Sequence, residues 1–199
     1  MNDAGTTPIT GERENTVSGY RLVAPDDWFA VNLEPDRMER SVAALVKRQF
    51  AGIDNAPHLK VQARQQLLAQ TQAAQDAGGL EMFLSLQQVA GVPIAASLVI
   101  FLVPPPGPHG VTVGDLAASL AVGDERRVTT VDLPVGQAVR VLRRTWNEDG
   151  SASATLEVFV PVPHNGEWLL LSFATPLGPL APALTKLFDA ICTTLRWDY

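Results

Sequence analysis

The feature that most constrains this chain is a run of six segments between residues 80 and 175, rich in apolar, β-branched and aromatic residues. They are LEMFLSLQQV, PIAASLVIFLV, RRVTTVDL, QAVRVLRRTW, SATLEVFVPV and EWLLLSFAT, each bounded by Gly, Pro or Asn-Gly. Four of the connections have hairpin length: Ala90-Gly91-Val92, Pro134-Val135-Gly136, Asn147 to Gly150, and His164-Asn165-Gly166, which carries the Asn-Gly pair favoured in tight turns. Strands joined this way pair antiparallel. The longer link from Pro104 to Glu125 begins with the stiff run Pro104-Pro105-Pro106-Gly107-Pro108-His109 and predicts a short helix near Val113 to Leu120. Ala95 to Val103 is apolar at both alternations, so helices are expected on both faces of the sheet.

Helical periodicity flanks the strands on both sides. Pro35 suits a first helical turn, where its missing N–H costs nothing, and Val42, Leu45, Val46, Gln49, Phe50 and Ile53 follow at spacings of three and four. After Asp54-Asn55-Ala56-Pro57 a second helix runs to about Ala77, with Leu59, Ala63, Leu67 and Ala74 on one side and glutamines elsewhere, and Gly78-Gly79 ends it. The last helix places Leu180, Leu184, Leu187, Phe188, Ile191 and Leu195 on one stripe, with Pro182 in its first turn. Burying such a stripe is worth on the order of 10 kcal/mol before entropy is subtracted. Near the start, YRLVAP and WFAVNL flank the turn formers Pro25, Asp26 and Asp27 and predict a hairpin. The expected fold is therefore α+β, an antiparallel β-sheet with helices packed on both faces. Residues 1–17, polar and Gly/Thr-rich, are expected to form a flexible tail, and residues 18–199 a single domain.

A hydrophobic share of 46% with 18% charged residues supplies ample core and leaves apolar surface that favours self-association, as a homodimer, or a protein partner. The net charge of −6 has the wrong sign for neutralising phosphates or sitting on an anionic membrane, so neither nucleic acid nor membrane is an expected partner. The longest apolar stretch, Gly91 to Val103, is too short to span a bilayer. A single cysteine, Cys192, makes no internal disulfide or zinc site and reads as a small core residue. The first residues lack a basic start followed by an apolar run, so a cytoplasmic location is expected.

Motifs that carry chemistry are missing. No P-loop, GxGxxG, HExxH, CxxC or GxSxG occurs, and no cofactor or metal is expected. Asn147 to Glu157 resembles a calcium loop only superficially: Thr145 takes the first ligand position and Glu157 falls one residue late. His58, His109 and His164 have no nucleophile or orienting carboxylate at motif spacing. Asp26, Asp27, Glu34 and Asp36 are explained by a turn and a helix N-terminus. The strongest candidate is a basic cluster, Arg126, Arg127, Arg140, Arg143 and Arg144, on two strands expected to pair, with Trp146 beside it. It would form an anion or acidic-partner site; the plainer reading is a solvated strand face balanced by Glu157.

The opening YRLVAPDDWFAVNL, the closing LFDAICTTLRW and the order of elements between them resemble the PsbP-like fold group, over residues 19 to 197. That group includes photosystem accessory subunits, a Ran-binding nuclear import factor and bacterial lipoproteins. A closer resemblance is to a set of uncharacterised actinobacterial proteins sharing Pro-x-x-Trp-Phe (Pro25 to Phe29), Gly-x-Pro-x-Ala-Ala-Ser-Leu (Gly91 to Leu98) and Phe-Asp-Ala-Ile (Phe188 to Ile191). The resemblance implies a protein-binding role and transfers no site residue. The expected function is a non-enzymatic accessory or adaptor domain. The alternative is a small-molecule or anion-binding domain that uses the arginine cluster with Trp146.

Overall fold

A computed structural model describes residues 16–52, 57–89, 92–104, 110–123, 126–146 and 151–199. In chain order the elements are β1 (Gly19–Arg21), β2 (Trp28–Asn32), α1 (Pro35–Gln49), α2 (Pro57–Asp76), β3 (Gly79–Ser85), β4 (Gln88–Val89), β5 (Val92–Pro93) and β6 (Ser97–Val103). Then come α3 (Val113–Leu120), β7 (Arg126–Leu133), β8 (Gly136–Trp146), β9 (Ala152–Pro161), β10 (Trp168–Thr175), α4 (Ala181–Cys192) and β11 (Arg196–Asp198). Seven strands form one antiparallel sheet in the order β2-β3-β6-β10-β9-β8-β7. The expected hairpins β7–β8, β8–β9 and β9–β10 are all present. The fourth is a small ribbon, β4–β5, that caps the β3–β6 pair, so the strand expected from Pro93 begins only at Ser97.

Helices lie on both faces, as the apolar alternation of β6 requires. On one face α4 drives Leu184, Phe188, Ile191 and Cys192 onto Leu98, Ile100, Leu156, Val158, Leu171 and Phe173. Phe188 stacks on Phe173 with ring centroids 4.7 Å apart and meets the edge of Trp28 at 6.2 Å, both favourable aromatic geometries. On the other face α1 and α2 pack on β2 and β3, burying Val42, Leu45 and Val46 against Val31, Leu33 and Met82. The Gln75 side-chain amide donates to the Leu33 carbonyl at 2.8 Å and pins α2 to the strand edge. α3, opened by a capping box between Thr112 and Asp115, packs on β7 and β8. Val139 and Val141 alternate with the residues that face α4 and are fully buried, which puts α3 on the face shared by α1 and α2.

One expectation is corrected at the start of the chain. YRLVAP and WFAVNL do not form a hairpin: β1 pairs with β11, Tyr20 opposite Trp197. The backbone explains the choice. Ser18 N–H donates to the Asp198 carbonyl at 2.8 Å and Val23 N–H to Thr194 Oγ1 at 2.9 Å, so the closing segment satisfies this strand while Leu22 and Ala24 pack on the α4 core. Val17 also packs against that core; residues 1–15 lie outside the described residues.

Candidate functional site

The arginine cluster does not assemble into one patch. Residues alternate across β8, so Arg140 and Arg144, with Trp146, point to the α4 face and Arg143 to the other. The partner strand follows the same rule. Arg127 is paired with Leu142 and shares the α4 face, whereas Arg126 stands directly opposite Arg143. Arg140 is also consumed: its Nε donates to Asp189 Oδ1 at 2.8 Å and its Nη2 to Oδ2 at 3.1 Å, a fork that fastens β8 to α4. The expected cluster of Arg126, Arg127, Arg140, Arg143 and Arg144 beside Trp146 is therefore divided between two faces by the strand alternation. Trp146 is 74% exposed and, with Arg144, borders an apolar hollow of about 410 Å3 against Pro176, Leu177 and Pro179.

The other candidates have structural roles or none. Glu34 pairs with Arg37 at 3.2 Å at the start of α1, and the Asp27 carbonyl accepts Leu86 N–H at 2.9 Å. His58 is exposed on the first turn of α2, and His164 adopts the left-handed conformation, φ 67°, in the β9–β10 turn. His109 and the Asn147 to Gly150 turn lie outside the described residues. Among the described residues no three His, Cys, Asp or Glu side chains gather as metal ligands. No helix there is long and apolar enough to cross a membrane.

The site that the sequence did not reveal is a groove of about 540 Å3 on the α1/α2 face. It forms because α1 and α2 pack on β2 and β3 and α3 on β7 and β8, while the helix on β9 and β10 is α4, on the opposite side. Its wall carries Leu45, Gln49, Leu67 and Gln70; its floor is Leu84, Ser97, Ala174, Thr155 and Ser153; Leu86, Ala95 and Pro176 close one end. Among the described residues the lining contains no titratable side chain. Ala174 lies on a central strand and is nonetheless exposed, so the floor is open.

The floor belongs to a row of directly paired residues that crosses all seven strands: Phe29, Leu84, Ser97, Ala174, Thr155, Arg143 and Arg126. Directly paired residues share one face. The row is bulky and apolar under the helices, small in the groove and cationic at the β7 edge. Glu157 stands two residues from Thr155 on the same face, paired with Ser172 and Val141.

No protein-family model matches the chain, and no curated protein matches it by sequence. The crystal structure of LpqN of Mycobacterium tuberculosis, a protein involved in cell envelope biogenesis, matches with a TM-score of 0.50 over 94% of this chain and 88% of that one, at 12% identity. The chain shares its fold with LpqN. The solution structure of CyanoP, the PsbP of Synechocystis sp. PCC 6803, matches over 98% of both chains at 14% identity and a TM-score of 0.33. The α+β fold expected from the sequence, an antiparallel sheet with helices on both faces, is the fold observed, and the likeness to LpqN ends at fold.

Proposed function

We propose that this chain is a non-enzymatic binding domain that receives a largely apolar ligand in the groove beside α1 and α2. The observation that carries this reading is the groove itself: about 540 Å3, with apolar walls, a few hydroxyl and amide groups and no titratable side chain in its lining. Small-molecule sites have that size and that mixture of apolar surface and sparse polar groups. Catalysis by proton transfer or nucleophilic attack needs a titratable group at the site, and among the described residues this lining offers none. Titration with Nile red, a neutral apolar dye, tests the reading. Saturable one-site binding that is lost in Ala174→Phe, which fills the floor from an exposed position, is expected; no saturable binding overturns it.

An accessory role toward another protein is the second reading, and one feature favours it. Leu59 and Val61 on α2 are 46% and 57% exposed, next to an apolar hollow shared with Val46 and Phe50 of α1. Light scattering across a range of concentrations tests self-association through this face. A dimer that Val61→Glu dissociates supports that form of the reading, and a dimer indifferent to the substitution counts against it. An intracellular setting completes the proposal, and recovery of the chain in an envelope fraction of its own cells overturns that part.

A further inference from the structure

The row across the sheet does not stop at the groove, and its next two members decide what class of ligand fits. Thr155, on the floor, is paired with Arg143, and Arg143 with Arg126 at the β7 edge. Paired strands lie about 4.8 Å apart, so Ser97 and Arg143 are separated by roughly 14 Å along the row. Two like charges placed directly opposite each other on a strand pair destabilise it. Among the described residues neither guanidinium has an ion-pair partner; the arginines that do are Arg21, Arg37, Arg64 and Arg140. In a chain of net charge −6 this pair is out of keeping with the rest of the surface.

We infer that the groove and the Arg143–Arg126 pair form one site for a single-chain amphiphile, with its apolar tail over Ser97, Ala174 and Thr155 and an anionic head held by the two guanidiniums. An oxyanion between the arginines would relieve their repulsion and accept charge-assisted hydrogen bonds from both. The groove lining, which has no charge, would take the tail and would reject a second ionised group, since burying an unpaired charge is costly. Glu157 flanks the head position on the same face and opposes it, so its removal should tighten binding.

The inference rests on the groove being a ligand site, and the test separates the two. Displacement of Nile red from the full chain is measured with dodecanoate and with dodecan-1-ol, which differ in the charge of the head. Dodecanoate should displace roughly tenfold more tightly than the alcohol. In the double variant Arg126→Gln/Arg143→Gln the advantage should fall below about twofold while Nile red affinity holds, and in Glu157→Gln it should grow. Equal displacement by acid and alcohol, or a dodecanoate advantage that survives in the double variant, overturns the amphiphile assignment and leaves the groove standing. Failure of Nile red itself to bind overturns both.

Discussion

Arg140 of β8 and Asp189 of α4 hold each other through two hydrogen bonds, Nε to Oδ1 at 2.8 Å and Nη2 to Oδ2 at 3.1 Å, with the arginine side chain only 14% exposed. The pair joins α4 to β8, the neighbour of the edge strand β7.

Asp189→Ala should cost about 2–4 kcal/mol in urea unfolding, because it strands a mostly buried guanidinium without its acceptor. Arg140→Met combined with Asp189→Leu should recover most of that loss, since neither charge is then left unpaired. A double variant as unstable as the single one would show that the fork supplies net stability beyond satisfying the mostly buried Arg140.

Phe188→Ala should cost about 3–5 kcal/mol, the usual range for removing a buried aromatic ring and leaving a cavity. Its ring is 1% exposed, stacked on Phe173 and edge-on to Trp28, so no neighbour can close the space without giving up its own contacts. Thermal or chemical unfolding followed by tryptophan fluorescence measures the loss, and a change under about 1 kcal/mol would contradict this account of the core.

Gly178 opens the 3-10 turn before α4 against the backbone of Ala152: a methyl group added there would stand 2.7 Å from the Ala152 carbonyl oxygen. Gly178→Ala should therefore destabilise by about 1–3 kcal/mol. Removing the Ala152 methyl with Ala152→Gly in the same chain should return only part of the loss, since the carbonyl contact remains.

Alkaline pH should weaken the fold. Burial, followed by the charge of Asp189, pushes the Cys192 thiol up to about 12 from its ordinary 9.0, and burial with the neighbouring Glu81 carboxylate holds the Tyr20 phenol well above its ordinary range. Both groups are held protonated in the folded chain and ionise more readily when it unfolds. Their contribution is thus complete below about pH 9 and is lost as pH rises toward 12. Melting temperature should hold from about pH 7 to 9 and then fall, and Tyr20→Phe should flatten that fall. The native thiol at pH 8 should also carry roughly a thousandfold less thiolate than a free one and resist Ellman's reagent.

The architecture was legible because local rules agree with the global ones. Asn165-Gly166 and Pro134-Val135-Gly136 set the hairpins, and the alternation of Leu156, Val158 and Val160 with Thr155, Glu157 and Phe159 marks which face of β9 is deeply buried. The β1–β11 pair was illegible for the opposite reason: its partners are separated by almost the whole chain, and nothing in YRLVAP distinguishes a distant partner from a near one. The arginines were legible as a cluster in sequence but not in space, since adjacent positions of a strand point to opposite faces. The groove left a fainter signal. Ser153, Thr155 and Ala174 are small or polar on one face of two strands, yet they form one floor only once β9 and β10 are known to be neighbours with Ala174 opposite Thr155.

The pairing of Tyr20 with Trp197 has a consequence for synthesis on the ribosome. Among the first described residues to emerge are those of β1, and their strand partner is made some 175 residues later, with residues Gly19–Arg21 waiting for Arg196–Asp198. The helix that covers Leu98, Ile100, Leu171 and Phe173 also follows every strand of the sheet it packs on. Until α4 clears the exit tunnel the nascent sheet presents a bare apolar face, a period in which long-range closure is slow and mispairing with other chains competes. A protein built this way should depend on chaperone capture during translation.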